Sequence, residues 1–382
     1  MSNLQRIIRN LQMNNKLVVL RTCGSEYQNE LLAALTDGYN ALDLALPNMR
    51  MQVEQNPAAF VRSLPLPVFL QNLHCAPSLL SCLLQSELPW NKIIACCRQS
   101  CYLQEKAESF AGTAVFLDLP LTAQAREPFI PTAAYLAAGV SKRQSKDILP
   151  LIVDGSWGQQ TAAYVNSLLQ HDIMEHTTVK DDIKFFRFLC AAASMAGGVV
   201  NYAVLANNVG ISAPTAKQWL QFLEGAGAVY FVQPLNTVIA GRRLVKAPKL
   251  YFRDTGVAAY LLQIADAAAL LPGVYFKSLY ENYLVSRLRE GFLQQGLPFQ
   301  AEFYRDSNNK EITLLLRDAF TMYPVIISST EIKAAKLQRL LSLLQPYIEN
   351  NSITLGNAVL LTLSGSSGPV APGVWQMDAG CI

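Results

Sequence analysis

The sequence predicts a mixed α/β protein built in three successive parts, and three observations carry that prediction. Over residues 1–130 short apolar runs alternate with helical stretches, which argues for a mostly parallel sheet covered by helices. Residues 201–254 spell two helices joined by a tight turn and followed by a strand hairpin, the winged-helix pattern. The last 100 residues return to helix, strands, helix and strand, a small α/β domain.

In the first part the strand candidates are 17–21, 39–43, 67–71, 92–96 and 114–118, with helices such as 25–35 and 77–85 between them. The stretch "REPFIPTAAYLAAGVSKRQSKD" breaks the alternation with prolines and a polar tail. From 159 to 196 the period is helical. "DDIKFFRFLCAAASMAG" puts Phe185, Phe188, Leu189 and Ala192 on one face, and Gly197–Gly198 stop it. Then Gly210-Ile211-Ser212 forms a turn, Ser212 caps the second helix, and Pro214 sits in its first turn. A strand at 228–235, a basic turn and the strand "KLYFRD" complete the hairpin. Beyond it come a helix at 278–294, strands near 301–305, 311–316 and 322–327, a helix near 331–347 and a strand near 357–363. "LSGSSGPVAPG" reads as a loose connection. The expected boundaries are 1–130 for the parallel unit, 131–196 for a helical lid or connector, 197–262 for the winged helix and 275–382 for the last domain.

Composition narrows the function classes. The chain has 382 residues, of which 51% are apolar, so it is not a disordered chain. Charged residues make up only 15%, against about 25% in a typical soluble protein. That sparseness fits a large Ala/Leu-rich core or extra buried interface, between domains or between chains. A net charge of +3 does not by itself imply nucleic acid. The N-terminus has no apolar signal core, and no run of 18 apolar residues occurs, so no membrane span and a cytoplasmic location are expected. Eight cysteines without a secretory signal read as thiols. Cys96, Cys97 and Cys101 cluster with His74 and Cys75 upstream, but no C-x-x-C pair exists, and small apolar packing beside a strand fits better than zinc. His171 and His176 stand five apart, the wrong spacing for one helix face, so no metal is expected there. Trp157 and Trp219 lie in helical contexts and read as core.

The stretch "KLVVLRTCGSEYQNELLAAL" (16–35) has the strand–turn–helix shape of a phosphate-binding loop, yet its turn holds one glycine and no lysine. A working loop needs glycines for its wrapping N–H groups, a lysine for the β/γ-phosphates and a Ser/Thr hydroxyl for magnesium. Its partner is an acidic pair ending a later apolar strand. Here "LPLPVFLQN" ends in Gln71 and Asn72, amides without the charge.

Read in order, these pieces resemble a bacterial and archaeal family of AAA-type ATPases, in which a P-loop domain precedes a winged helix and a domain similar to PD-(D/E)xK nucleases. The resemblance is carried most strongly by "RRLVKAPKLYFRDTGVAAYLL" (242–262), "NYAVLANNVGISAPTAKQWLQFLE", "LYENYLVSRL" (279–288) and "FYRDSNNKEITLLL" (303–316). At the N-terminus "YNALDLALPNMRMQVEQNPAAFV" and "ESFAGTAVFLDLPLT" fit without gaps and extend it over nearly the whole chain. In the family's frame Thr22 and Tyr27 replace the two loop glycines, Gln28 the lysine and Asn29 the magnesium-binding threonine. Gln71-Asn72 replaces the acidic pair, Cys96-Cys97-Arg98 a later T-G-S, Thr113 an arginine, and His171-Asp172 an Arg-Asp pair. In the nuclease-like part Glu281 and Glu311 remain, whereas Thr313 replaces the second strand acid, Ile326 a glutamate and Ser328 a lysine. The resemblance therefore implies a fold kept while ATP hydrolysis and nuclease chemistry were lost, with the family's ATP and magnesium not bound. Two carboxylates do not rebuild a metal-hydrolase site.

The winged helix carries Lys217, Arg242, Arg243, Lys246, Lys249 and Arg253 against Glu224 and Asp254, a candidate phosphate-facing patch. Its second helix offers only Thr215, Lys217, Gln218 and Gln221 for base contacts. On the competing reading, Arg242, Arg243 and Lys246 pack the wing onto its neighbour. The leading expectation is a pseudo-ATPase acting as a binding or scaffold protein, on a protein partner, an active paralogue or a second copy. Two alternatives stand beside it. One is residual nucleotide binding with Glu30, Asp43 or Arg98 recruited. The other is a DNA-binding regulator acting through Lys217, Arg242, Arg243 and Lys246.

Overall fold

The computed structural model describes residues 3–14, 16–98, 103, 113–122, 128–139, 146–174, 179–235, 244–363 and 367–382. The chain forms a mixed α/β structure with two sheets. The first is wholly parallel and runs β2-β3-β4-β1-β5. Its strands are β1 (Leu17–Arg21), β2 (Asn40–Asp43), β3 (Val68–Gln71), β4 (Ile93–Cys97) and β5 (Ala114–Asp118). β1 lies between β4 and β5, with Val18 opposite Ile94 and Leu17 opposite Ala114.

The reason is written in β1. Leu17, Val18, Val19 and Leu20 are all fully buried, so the strand reads as a continuous apolar run, as a parallel strand covered on both faces must. Alternate residues enter different cores. Leu17 and Val19 join Leu70, Ile93 and Ala95 on one face. Val18 and Leu20 join Phe69, Ile94 and Cys96 on the other. That second face is covered by a helix the sequence reading missed, Asn3–Met13, through Leu4 and Ile8. Its Gln12 Nε2 donates to the carbonyls of Trp90 and Ile93, both at 2.9 Å. Because all five strands run the same way, Arg21, Gln71, Cys97 and Asp118 end on one edge of the sheet.

The connector contains the helices Ala133–Gly139, Leu149–Asp154, Thr161–Ser167 and Asp182–Ala193. Trp219 is buried against Phe185 and Phe188, at ring-centre separations of 5.0 and 5.2 Å. Trp157, expected in the core, is only half-buried and stacks on Tyr164 at 4.2 Å. The helices Tyr202–Val209 and Ala213–Gly225 meet at Gly210, whose φ of +72° is the left-handed turn that favours glycine. Ser212 caps the second helix by accepting the Thr215 N–H at 3.1 Å.

The strands β6 (Val229–Pro234) and β7 (Lys249–Phe252) form the expected antiparallel hairpin. They also join the second sheet, because Gln233 and Pro234 pair with Glu302 and Phe303. That sheet runs β13-β14-β12-β10-β9-β8-β6-β7, with β11 beside β10. Its members are β8 (Ala301–Arg305), β9 (Glu311–Asp318), β10 (Thr321–Ser328), β11 (Thr354–Leu355), β12 (Ala358–Thr362), β13 (Gly368–Ala371) and β14 (Val374–Asp378). The "loose connection" is therefore corrected at its end, where Gly368–Ala371 pairs antiparallel with β14. Pro369 is tolerated because β13 is an edge strand. The single helix expected near 331–347 divides into Ala334–Leu341 and Gln345–Asn351, with Pro346 opening the second. No helix among the described residues is long and apolar enough to cross a membrane.

A buried charge network ties the two sheets together. Asp118, at the end of β5, pairs with Arg21 at 2.8 Å and with Arg289 of the long helix Phe276–Gln294. Arg253, just past β7, donates to the Leu119 carbonyl. Glu290 accepts the N–H groups of Leu121 and of Thr122, the latter at 3.2 Å. Burial alone would raise Asp118, but Arg289, Arg21 and Arg253 prevail and hold its carboxyl at about 2.

The folded value lies below the unfolded value of about 3.9. Asp118 therefore stabilises the fold above that pH, and the contribution fades as pH falls toward 2. Asp118→Asn leaves the half-buried guanidinium groups of Arg21 and Arg289 short of their counter-ion. It should cost about 3–5 kcal/mol in urea unfolding at pH 7, with the gap to the parent narrowing below pH 4. A loss under about 1 kcal/mol, the scale of an exposed ion pair, would show that the network does not hold the joint.

Candidate functional site

The turn between β1 and the helix Glu26–Leu35 carries the residues expected around a phosphate. Gly24 adopts φ +81° and supplies the left-handed position the turn requires. Ser25 caps the helix, accepting the Gln28 N–H at 3.2 Å. The decisive side chain is Gln28, which is fully buried. Its Oε1 accepts from Thr22 Oγ1 at 2.8 Å, the Cys23 N–H at 2.9 Å and the Ser25 N–H at 3.4 Å. Its Nε2 donates to the Leu119 carbonyl at 2.9 Å. Thr22 Oγ1 in turn accepts the Gly24 N–H at 2.9 Å. An anion seated at a helix N-terminus depends on such turn N–H groups. Here the Gln28 carboxamide and the Thr22 hydroxyl consume the N–H groups of Cys23, Gly24 and Ser25, so these donors are filled from within by uncharged groups. Burial pushes the Cys23 thiol up, so it adds no charge either.

The other expected positions stand apart from that plug. Asn29 is exposed, its Nδ2 3.5 Å from the Gly24 carbonyl. Gln71 ends β3 half-buried. Asn72 takes a left-handed φ of +55° and donates from Nδ2 to Asp43 Oδ1 at 2.8 Å. Asp43 also accepts the Ala45 N–H at 2.9 Å, so this carboxylate is engaged as a turn acceptor. Glu30 faces solvent. Arg98 lies over Gly24 and lines a cavity of about 210 Å³ with Trp157 and Tyr164. Its Nη2 is 3.4 Å from Ser167 Oγ, so it leans on the connector. Thr113 is half-buried. Cys96 is buried, its thiol pushed up to about 11, and the described cysteines are free thiols. Among the described residues no cluster of His, Cys, Asp and Glu could hold a metal ion. Cys101 and His176 lie outside the described residues, as do the side chains of His171 and Asp172.

The second candidate site does assemble. Glu281 comes from the helix Phe276–Gln294 and Glu311 opens β9. Between them sits Lys249, whose side chain is 1% exposed. Its Nζ donates to Glu281 Oε1 at 2.7 Å and to Glu311 Oε1. Tyr251 OH donates to Glu281 Oε1 at 2.9 Å, and Arg305 Nη1 lies 3.3 Å from Glu311 Oε2. Burial alone would depress Lys249, but the two carboxylates outweigh it and hold the ammonium above its ordinary value. A fixed ammonium thus takes the place between the carboxylates that a divalent ion would need. Thr313 Oγ1 accepts the Ile327 N–H at 3.2 Å, Ile326 is core, and Ser328 Oγ donates to the Thr330 carbonyl at 2.6 Å.

This corrects the basic patch. Lys249 and Arg253, counted toward it from sequence, are buried, Lys249 between two carboxylates and Arg253 with its Nη2 on a carbonyl. Alternation along β7 was the available signal, since it puts Lys249 and Tyr251 on one face, toward Glu281. Lys217 and Lys246 are exposed. Arg242 and Arg243 lie outside the described residues. The returning chain docks on the last domain, with the Val245 N–H donating to the Arg305 carbonyl at 3.1 Å and Leu244 bridging Asp306.

A family model described as a domain of unknown function (DUF8612) matches residues 151–268. No curated protein and no solved structure matches the chain. The matched stretch includes Lys249, Arg253 and Asp254, and excludes the 22–28 turn and both glutamates of the second site.

Gln28→Ala strips the acceptor from the Thr22 hydroxyl and two turn N–H groups. It should cost about 2–3 kcal/mol in chemical denaturation, the cost of burying unsatisfied donors. A change within about 0.5 kcal/mol, the scale of an ordinary surface substitution, would mean that the carboxamide does not hold the turn.

Proposed function

We propose that this chain is a catalytically degenerate relative of the AAA-type ATPases, a pseudo-ATPase that works by binding, as a scaffold for a protein partner or a second copy. The observation that carries the reading is Gln28, whose carboxamide fills the turn a nucleotide phosphate would need. The parallel sheet with β1 inside it, and a strand–turn–helix unit at its edge, support the ancestry. The second site supports the loss of hydrolysis in the same way, because Lys249 closes the carboxylate pair with a covalently fixed cation. On this reading neither ATP nor magnesium is bound. The free thiols of Cys23, Cys96 and Cys97 support a reducing, cytoplasmic location.

The nucleic-acid reading keeps one supporting observation, the exposed Lys217 and Lys246 on and beside the helix-turn-helix. It loses Lys249 and Arg253, which face carboxylates and a carbonyl. Lys217 and Lys246 remain of the patch, with Arg242 and Arg243 outside the described residues.

A phosphate-release assay on the folded full chain with magnesium and ATP tests the leading reading. Release should stay at the rate of the protein-free control. Magnesium-dependent turnover that disappears in Asn29→Ala would overturn it.

A further inference from the structure

A polar cavity of about 200 Å³ lies where four segments meet. They are the chain after β5, the turn after the helix Leu149–Asp154, the end of β7 and the helix Phe276–Gln294. Its walls include Thr122, Ser156, Arg253, Asp254, Arg287 and Glu290. Arg253, Asp254 and Glu290 are 7%, 6% and 6% exposed, so these charges are built into the interior.

Three carboxylate oxygens of this cavity already accept backbone N–H groups. Asp254 Oδ2 accepts the Ser156 N–H at 2.5 Å and Oδ1 the Val257 N–H at 3.2 Å. Glu290 Oε1 accepts two backbone N–H groups, from Leu121 and Thr122. Arg253 Nη2 reaches the Leu119 carbonyl, but its Nε finds no hydrogen-bond partner among the described residues, and neither does Thr122 Oγ1. Arg287 adds a second guanidinium to the wall. Buried donors left unsatisfied are costly, and a cavity that keeps them beside two cations has the chemistry of an anion site. Burial also raises Asp254 and Glu290, which reduces their opposition to a negative ligand.

We propose that this cavity binds a small oxyanion-bearing molecule, its carboxylate or phosphate held by Arg253, Arg287 and the Thr122 hydroxyl. The volume would hold about six waters, enough for an oxyanion and a few carbons but not for a nucleotide. The ligand would touch both the parallel unit and the second sheet's helix, so it would brace the joint between them and stabilise the fold by mass action. The inference does not depend on the turn at 22–28.

The test is calorimetric titration and thermal unfolding of the full chain with inorganic phosphate and, separately, with malonate. At least one should bind with one-to-one saturation and raise the unfolding temperature as its concentration rises. Phosphate alone marks a phosphorylated ligand, and malonate alone marks a carboxylic acid. Arg287→Gln, a half-buried position, should weaken binding about tenfold or more while the ligand-free protein unfolds as before. Thr122→Val should weaken it less. Failure of both anions at millimolar concentration would mean a cavity that holds water alone. Binding undiminished in Arg287→Gln would mean an anion adsorbed elsewhere. Either result overturns the proposal.

Discussion

Asp118 sits between Arg21 and Arg289, with Arg253 and Glu290 beside it, and this charge network fixes how the parallel sheet meets the rest of the chain. Taking these groups out of water costs several kcal/mol each, offset only when every charge is paired or hydrogen-bonded. Asp118 meets that condition with two guanidiniums, Arg253 with a carbonyl, and Glu290 with two backbone N–H groups. The same network sets the environment of both the 22–28 turn and the polar cavity. Leu119, which accepts from Arg253, also accepts from Gln28. A side chain that seals the turn and one that locks the joint thus converge on a single carbonyl.

The two candidate sites are closed by related chemistry. At the turn, an uncharged carboxamide occupies N–H donors suited to an anion. At the second site, an ammonium occupies carboxylates suited to a cation. In each case the complementary group belongs to the chain itself. A tethered group loses little translational freedom on docking and cannot diffuse away, so a free ligand must displace it as well as bind. The local architecture at both places stays satisfied without a ligand.

Much of this was legible in the sequence. The five parallel strands fell within a residue or two of their observed bounds, most sharply β1 and β4, which are nearly continuous buried apolar runs. The two helices and their turn were marked by Gly210 and Ser212, whose capping roles are local. Glu281 and Glu311, singled out in the sequence, meet at the Lys249 ammonium. The misses share a cause, which is dependence on distant partners. The strand β13 lies in a Gly, Ser and Pro-rich stretch and exists because β14, itself paired with β12, offers an edge to it. Gln28 reads as a lost lysine, and its role appears only with Leu119, a residue 91 positions away. Lys249 and Arg253 read as surface cations, since charge on a short strand ordinarily faces water. Their carboxylate and carbonyl partners come from other elements.

The central claim is that the turn at 22–28 has no vacancy for a phosphate. Isothermal titration of ATP with magnesium into the folded full chain tests it most directly. The account predicts no binding heat at high micromolar ATP. Saturable one-to-one binding that persists in Arg287→Gln, and so does not arise in the polar cavity, would contradict it.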